Sequence, residues 1–286
     1  MEQYILSIDQ STQGTKAMLF DAAGQLTART DRPHRQYVNA KGWVSHDLEE
    51  IRANTLAAAR DLLQKAEIRP DQIAAVGLSN QRETVAAWHR ETGAPVCSAI
   101  VWQCARAREL CDGLTDQAEL VRARTGIPLS PYFSAPKMAW ILQNVPGAAE
   151  LAAENKLCLG TMDSFLVYQL TEEKAFKTDY SNASRTQLFN IHTLAWDEEL
   201  CILYGVPRAC LPEVCMSDSL FGHTTLGGLL DKPVPLCGVL GDSHAALLGQ
   251  NCRAPGQTKA TYGTGSSVMM QTGERLVTSR CGLVTS

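Results

Sequence analysis

The sequence predicts an α/β fold on three observations. Short apolar runs of strand character open the chain and recur along it, segments with helical apolar spacing lie between them, and Gly- and Pro-containing turns separate the two kinds. With 286 residues, 45% hydrophobic and 20% charged, the chain is long enough to bury one large core or two smaller ones.

The elements follow in order. Tyr4 to Ile8 reads as a strand and Asp9 to Lys16 as a polar turn; Ala17 to Asp21 and Gln25 to Arg29 read as two more strands, joined by a hairpin turn at Ala23 and Gly24. After a loop at Lys41, Gly42 and Trp43, Ser45 and Asp47 are candidate caps for a helix with Glu49 and Glu50 in its first turn, where its dipole favours them. Ile51, Leu56, Ala59 and Leu63 mark its apolar face. A buried strand is expected from Ile73 to Leu78, ending in Ser79 and Asn80, then a hairpin from Thr84 to His89 turning through Glu91 to Pro95. Helices are expected over Ala105 to Leu114, Ala135 to Asn144 and Met162 to Leu170. Three hairpin-linked strands followed by helix and strand in alternation is the order of an RNase H-like module.

Composition narrows the partners. A formal net charge of -4 leaves no basic surplus to attract a nucleic-acid backbone. The opening residues, Met1 to Gln10, lack a basic region followed by an apolar run and cleavage site, and no stretch has the length of a membrane span, so the expectation is a cytoplasmic protein without a membrane partner. Ten scattered cysteines form no CxxC pair and read as buried free thiols.

Four segments and one pair of aromatic residues can carry chemistry. Asp9 to Lys16 offers backbone N–H groups, the hydroxyl of Thr12, and the Lys16 ammonium to a phosphate, while Asp9 at a strand end can hold a hydrated magnesium; the same residues also suit an ordinary solvated hairpin. Asn80 to Thr84 follows a buried strand, the usual place for ligand groups, and Arg82 and Glu83 can donate to and accept from neighbouring hydroxyls or simply decorate a surface. Trp102 and Tyr132 can form a flat apolar wall for carbohydrate C–H faces or sit in the core. Asp242 lies between an apolar strand and a small-residue helix, where it can cap that helix or accept the proton of an attacking hydroxyl; His244 beside it reads as structural. Thr261 to Ser267 is a glycine and hydroxyl turn able to wrap phosphate oxygens.

Taken together these segments resemble the FGGY carbohydrate kinases, and within that family its glycerol kinases. Asp9-Gln10-Ser11-Thr12, Asn80 to Thr84, Ala99-Ile100-Val101-Trp102-Gln103 and Tyr262-Gly263-Thr264-Gly265 match its site segments, Tyr132 to Ile141 fits its first signature, and Thr178 to Thr186 with Leu188 to His192 is likewise similar. The resemblance spans nearly the whole chain and implies the actin, Hsp70 and hexokinase type of fold: two RNase H-like domains closing over ATP and acceptor. Residues 1–250 would form the acceptor-binding N-terminal domain and residues 251–286 would begin the nucleotide-binding one.

Carried across residue by residue, the resemblance makes Asp242 the catalytic base. It assigns the acceptor to Arg82, Glu83, Trp102, Tyr132, Asp242 and Ser243, the nucleotide to Thr12, Gln13, Gly14, Lys16, Thr264 and Gly265, and magnesium, through water, to Asp9. The implied reaction is ATP-dependent phosphorylation of a primary hydroxyl of glycerol or a related polyol or sugar, by a protein that forms homo-oligomers in part of the family. Two alternatives share these features: a polyol-binding regulator without catalysis, and an actin- or Hsp70-like ATPase, which has no need of a hydroxyl-binding set. Two positions depart from the glycerol kinase pattern: Ser243 stands where glutamine is usual and Ser267 where an aromatic is usual, so a roomier acceptor pocket is expected. The segment Gly227 to Lys232 lacks the arginine of the loop that binds fructose bisphosphate in some bacterial glycerol kinases, so that control is not expected. The chain ends within the implied second domain, and the expectation is that this length alone phosphorylates nothing at a useful rate.

Overall fold

A computed structural model describes residues 2–262 and 266–286. Its main element is a six-stranded sheet in the order Leu220–Thr224, Val234–Gly241, Ile73–Asn80, Tyr4–Gln10, Gly14–Phe20 and Leu26–Pro33. The central three strands are parallel and the flanking pairs antiparallel. Alternation builds this sheet: along the first strand Leu6, Ile8 and Gln10 are buried while Ser7 and Asp9 face the half-open side. The buried face packs against the helix Leu48–Ala66 through Ile51, Ala59 and Leu63, and against the helix Met162–Leu170 through Met162, Phe165 and Leu166.

A second, five-stranded sheet runs Gln36–Val38, Val44–His46, Ala99–Ile100, Val85–His89 and Leu157–Thr161. A separate core lies between it and the helices Ala118–Thr125, Ser134–Asn144 and Glu198–Tyr204, so the chain builds two cores. Beyond the helix Asp242–Gly249, the strands Thr258–Tyr262 and Ser266–Met270 form an antiparallel pair with Tyr262 and Val268 exposed.

Local expectations hold in part. Asp47 accepts from the backbone N–H groups of Glu49 and Glu50 and caps the first long helix, whereas Ser45 lies in a strand. The polar turn expected over Asp9 to Lys16 shrinks to Ser11–Gln13, because Asp9 pairs with Lys16 and Gln10 with Thr15 in the strand register; Gly14 and Lys16 therefore lie on a strand. The expected helix at Ala105 to Leu114 forms only over Arg108–Asp112. Arg106 instead reaches back to the Val44 carbonyl and the Ser45 hydroxyl at 3.1 and 2.6 Å. All ten cysteines are free thiols, six of them buried. No helix among the described residues is long and apolar enough to cross a membrane.

Candidate active site

The three parallel central strands end level with one another: Gln10 pairs with Asn80, and Asn80 with Gly241. Ligands of open α/β sheets gather beyond such carboxyl ends. The segments after these strands bring together Thr12, Arg82, Glu83 and Asp242, residues scattered over most of the sequence.

Asp242 opens its helix rather than capping it; Gly241 is the cap residue and the Asp242 carboxylate accepts from the Ser243 N–H at 2.6 Å. Arg82 Nε lies 3.2 Å from Asp242 Oδ1, a close charge contact without an aligned hydrogen bond. The Asp242 side chain is 45% exposed, so it is open to a ligand, while Arg82 is nearly buried. Loss of water around its carboxyl raises the Asp242 pKa, Glu83 adds to that, and Arg82 opposes it. The result is a carboxylate more basic than usual, with a cation beside it.

Glycine is required at 241 for space. A Cβ there would stand 2.5 Å from Arg82 Cδ and 2.6 Å from Arg82 Cγ. The backbone at this point is held by a chain of polar groups: Gly241 N–H donates to Ser181 Oγ at 2.8 Å, and Ser181 and Ser217 both donate to Asp179 at 2.6 and 2.7 Å. Asn182 and Asn80 exchange amide hydrogen bonds at 2.9 and 3.0 Å, which tie the same network to the neighbouring strand end. Gly241→Ala is expected to push Arg82 aside and weaken the binding of any ligand that Arg82 holds by up to about 100-fold, the scale of an ångström-level misplacement, while leaving the fold intact. Calorimetry with circular dichroism checks both halves; unchanged binding would show that the Arg82 position is immaterial.

Glu83 is not surface decoration. It is buried, adopts a left-handed backbone with φ of 62°, and its carboxylate accepts from Arg185 Nε at 2.6 Å. Arg185 is itself buried and stacks over the Phe133 ring at 5.0 Å. Trp102 is held twice: its backbone N–H donates to Thr84 Oγ1 at 3.1 Å and its indole N–H to Thr12 Oγ1 at 2.9 Å. Its ring lies 5.5 Å from that of Tyr132, forming one aromatic wall. Burial pushes the Tyr132 hydroxyl up to about 12, and the charges of Glu83, Arg185, Arg82 and Asp242 all act on it, which places the wall beside the charged residues.

The residues expected on the nucleotide side surround a tight turn. Ser11 Oγ donates to the Gly14 carbonyl at 2.9 Å, and the Gln13 carbonyl accepts from His34 N–H at 3.2 Å. A Cβ on Gly14 would meet the Arg32 carbonyl at 2.7 Å, so the close pairing of the turn with the next strand needs glycine. Asp9 accepts from Ser79 Oγ at 2.7 Å and pairs with Lys16 at 2.9 Å. No cluster of three or more His, Cys, Asp or Glu among the described residues can cage a metal. A single carboxylate at a strand end nonetheless fits magnesium, which keeps several waters and takes its other ligands from phosphates.

Thr264 and Gly265 lie outside the described residues. Ser267 accepts from Lys259 Nζ at 3.3 Å, and Lys259, almost fully buried, is close enough to feel the charges of Arg82 and Asp242. His244 is half-buried with its Nδ1 shut from solvent and unpartnered, and desolvation, helped by Arg82 and Arg185, lowers its pKa to about 3, so it is a weak base. A cavity of about 540 Å³ lies elsewhere, lined by Tyr4, Leu26, Arg29 and Lys65, with none of the candidate residues in it. Sequence reasoning missed Arg185, Asp179, Ser181 and Lys259 as site supports. Arg185 stood in a segment that matched the family, but only its burial reveals the partnership with Glu83.

Comparison with known proteins finds relatives along the whole chain. The model of the FGGY family of carbohydrate kinases, N-terminal domain, matches residues 4–249. The chain is 47% identical to glycerol kinase of Burkholderia vietnamiensis over 287 aligned residues, and 45% identical to glycerol kinase of Psychromonas ingrahamii over 288. Both alignments cover 100% of this chain and 57% of the relative, so the chain spans little more than half the length of these proteins. Among solved structures, Plasmodium falciparum glycerol kinase with ADP superposes with a TM-score of 0.92 at 34% identity, covering 99% of this chain and 57% of that one. Xylulose kinase from Lactobacillus acidophilus superposes at 0.81 over 93% of this chain and 54% of its own, at 21% identity, and so speaks to the fold alone.

Proposed function

Because the chain belongs to the FGGY family of carbohydrate kinases, we propose that it forms the acceptor-binding part of a cytoplasmic enzyme that transfers the γ-phosphoryl group of ATP to a primary hydroxyl of glycerol or a related polyol. The observation that carries this reading is the pairing of Asp242 with Arg82 at 3.2 Å, at the mouth of the level strand ends. Arg82 donates to an acceptor hydroxyl, Glu83 accepts from one, and Trp102 with Tyr132 covers the C–H faces. Asp242 takes the proton of the attacking hydroxyl; its raised pKa makes it a better acceptor, and Arg82 keeps it ionised until then. Thr12, Gln13, Gly14 and Lys16 line the path of the phosphates, with Thr264 and Gly265 assigned there from the family pattern. Asp9 would hold magnesium through water, and the ion would supply charge neutralisation on the phosphates.

Residues 1–250 make the acceptor domain and residues 251–286 begin the nucleotide-binding one; the family match ending at residue 249 supports that boundary. The abundance of free, buried thiols suits a reducing compartment. Ser243 and Ser267, shorter than the usual side chains, extend the acceptor range toward tetritols, pentitols or ketoses. Titration of the chain with glycerol, erythritol, ribitol and xylulose is expected to find one preferred ligand, and Arg82→Ala to weaken it about 10- to 100-fold, the worth of a charged hydrogen bond. Equal binding by the variant would sink the acceptor assignment. A kcat/KM highest on glycerol, with longer polyols far behind, would remove the extended range.

A further inference from the structure

The aromatic wall has a support that the reaction above does not use. Lys137, in the first turn of the helix Ser134–Asn144, is completely buried. Its ammonium donates to three successive backbone carbonyls: Pro131 at 2.6 Å, Tyr132 at 2.5 Å and Phe133 at 2.9 Å. An ammonium has three N–H donors and no acceptor, so donors and partners match one to one. In an extended segment successive carbonyls point to opposite sides, so three aimed at one nitrogen require the chain to curl around it.

We propose that Lys137 is a positioning residue for the acceptor site: its buried ammonium gathers the carbonyls of residues 131–133 and so sets the Tyr132 ring against Trp102 without touching the acceptor. The inference rests on the acceptor-site reading above. The groups that face Lys137 are Glu83, Cys104, Cys111 and Arg106. Its pKa is lowered to about 7, chiefly by burial and also by Arg106, against the opposing pull of Glu83 and the two thiols.

Deprotonation leaves two N–H donors for three carbonyls and turns a lone pair toward the third. Polyol affinity therefore falls as pH rises through about 7. Stability moves the other way. An unfolded lysine keeps its proton to about 10.5, so between about 7 and 10.5 the unfolded chain binds more protons and the Lys137 contribution to stability rises with pH. A lysine that served structure alone would not weaken ligand binding in the range where it steadies the fold.

The test uses the 286-residue chain, its Lys137→Met and Lys137→Arg variants, and glycerol and erythritol as probes. For the wild type, affinity is expected to drop about tenfold from about pH 6 to about pH 8.5, the scale of one charged hydrogen bond, and NMR signals of the Tyr132 ring to titrate with those of Lys137 Cε. Lys137→Met should bind about tenfold more weakly at pH 6 and lose the pH dependence; Lys137→Arg, always charged, should regain part of the affinity and show no drop. A Tyr132 signal indifferent to the Lys137 titration, or a folded Lys137→Met that binds as well as the wild type, would overturn the proposal. Should the wild type bind none of glycerol, erythritol, ribitol and xylulose, the acceptor reading fails, while the paired titration still decides the clamp. If Lys137→Met does not fold, the wild-type titration decides alone.

Discussion

Asp242→Asn is expected to lower kcat and kcat/KM for polyol phosphorylation together, on the order of 1,000-fold, with KM little changed. The reason is that asparagine keeps the shape of the side chain and its bond from the Ser243 N–H, but has no carboxylate to take the hydroxyl proton. The steady-state assay is run on a protein of the full length of its relatives, of which this chain spans 57%. In the unsubstituted protein the acid limb of kcat/KM should lie above the pH expected for an ordinary aspartate, because burial raises the Asp242 pKa. A variant that retained a tenth or more of the rate would assign proton removal to another group.

The second large effect is on stability. Arg185→Met leaves the Glu83 carboxylate buried without its cation, and breaking such a pair costs about 3–5 kcal/mol. Denaturant unfolding should report that loss, with polyol binding lost as well, since Glu83 would no longer be aimed. Combining Arg185→Met with Glu83→Leu removes both charges and should recover most of the stability without recovering binding, because apolar replacement of a whole buried pair is often close to neutral. A loss below about 1 kcal/mol for the single variant would mean the pair behaves like a solvated one.

What the sequence discloses follows from the range of each interaction. The helix Met162–Leu170 was legible to the residue and the Asp47 cap was legible too, since both depend on neighbours within a turn. The polar turn was overextended because Gln10 and Thr15 are polar yet buried, and polarity alone reads as loop. Arg82, Trp102 and Asp242 were readable as candidates, but a sequence does not say that Trp102 hydrogen-bonds Thr12 or that Glu83 faces a buried Arg185. Lys137 shows the limit plainly. Lysine is the residue type least expected in a core, and only the carbonyls around it explain its place.

The level ends of the three parallel strands also bear on how the site comes into being. Gln10, Asn80 and Gly241 meet in one register, although they come from the start, the first third and the far part of the chain. Contacts between such distant residues form only after the loops between them have closed, at a cost in chain entropy that is met before the contacts repay it. During refolding, the Leu48–Ala66 helix and the early hairpins can form while Asp242 is still far from Arg82. The proposed site is thus a late product of folding: a partly folded chain can have native helices and strands and still lack the meeting of Arg82 with Asp242.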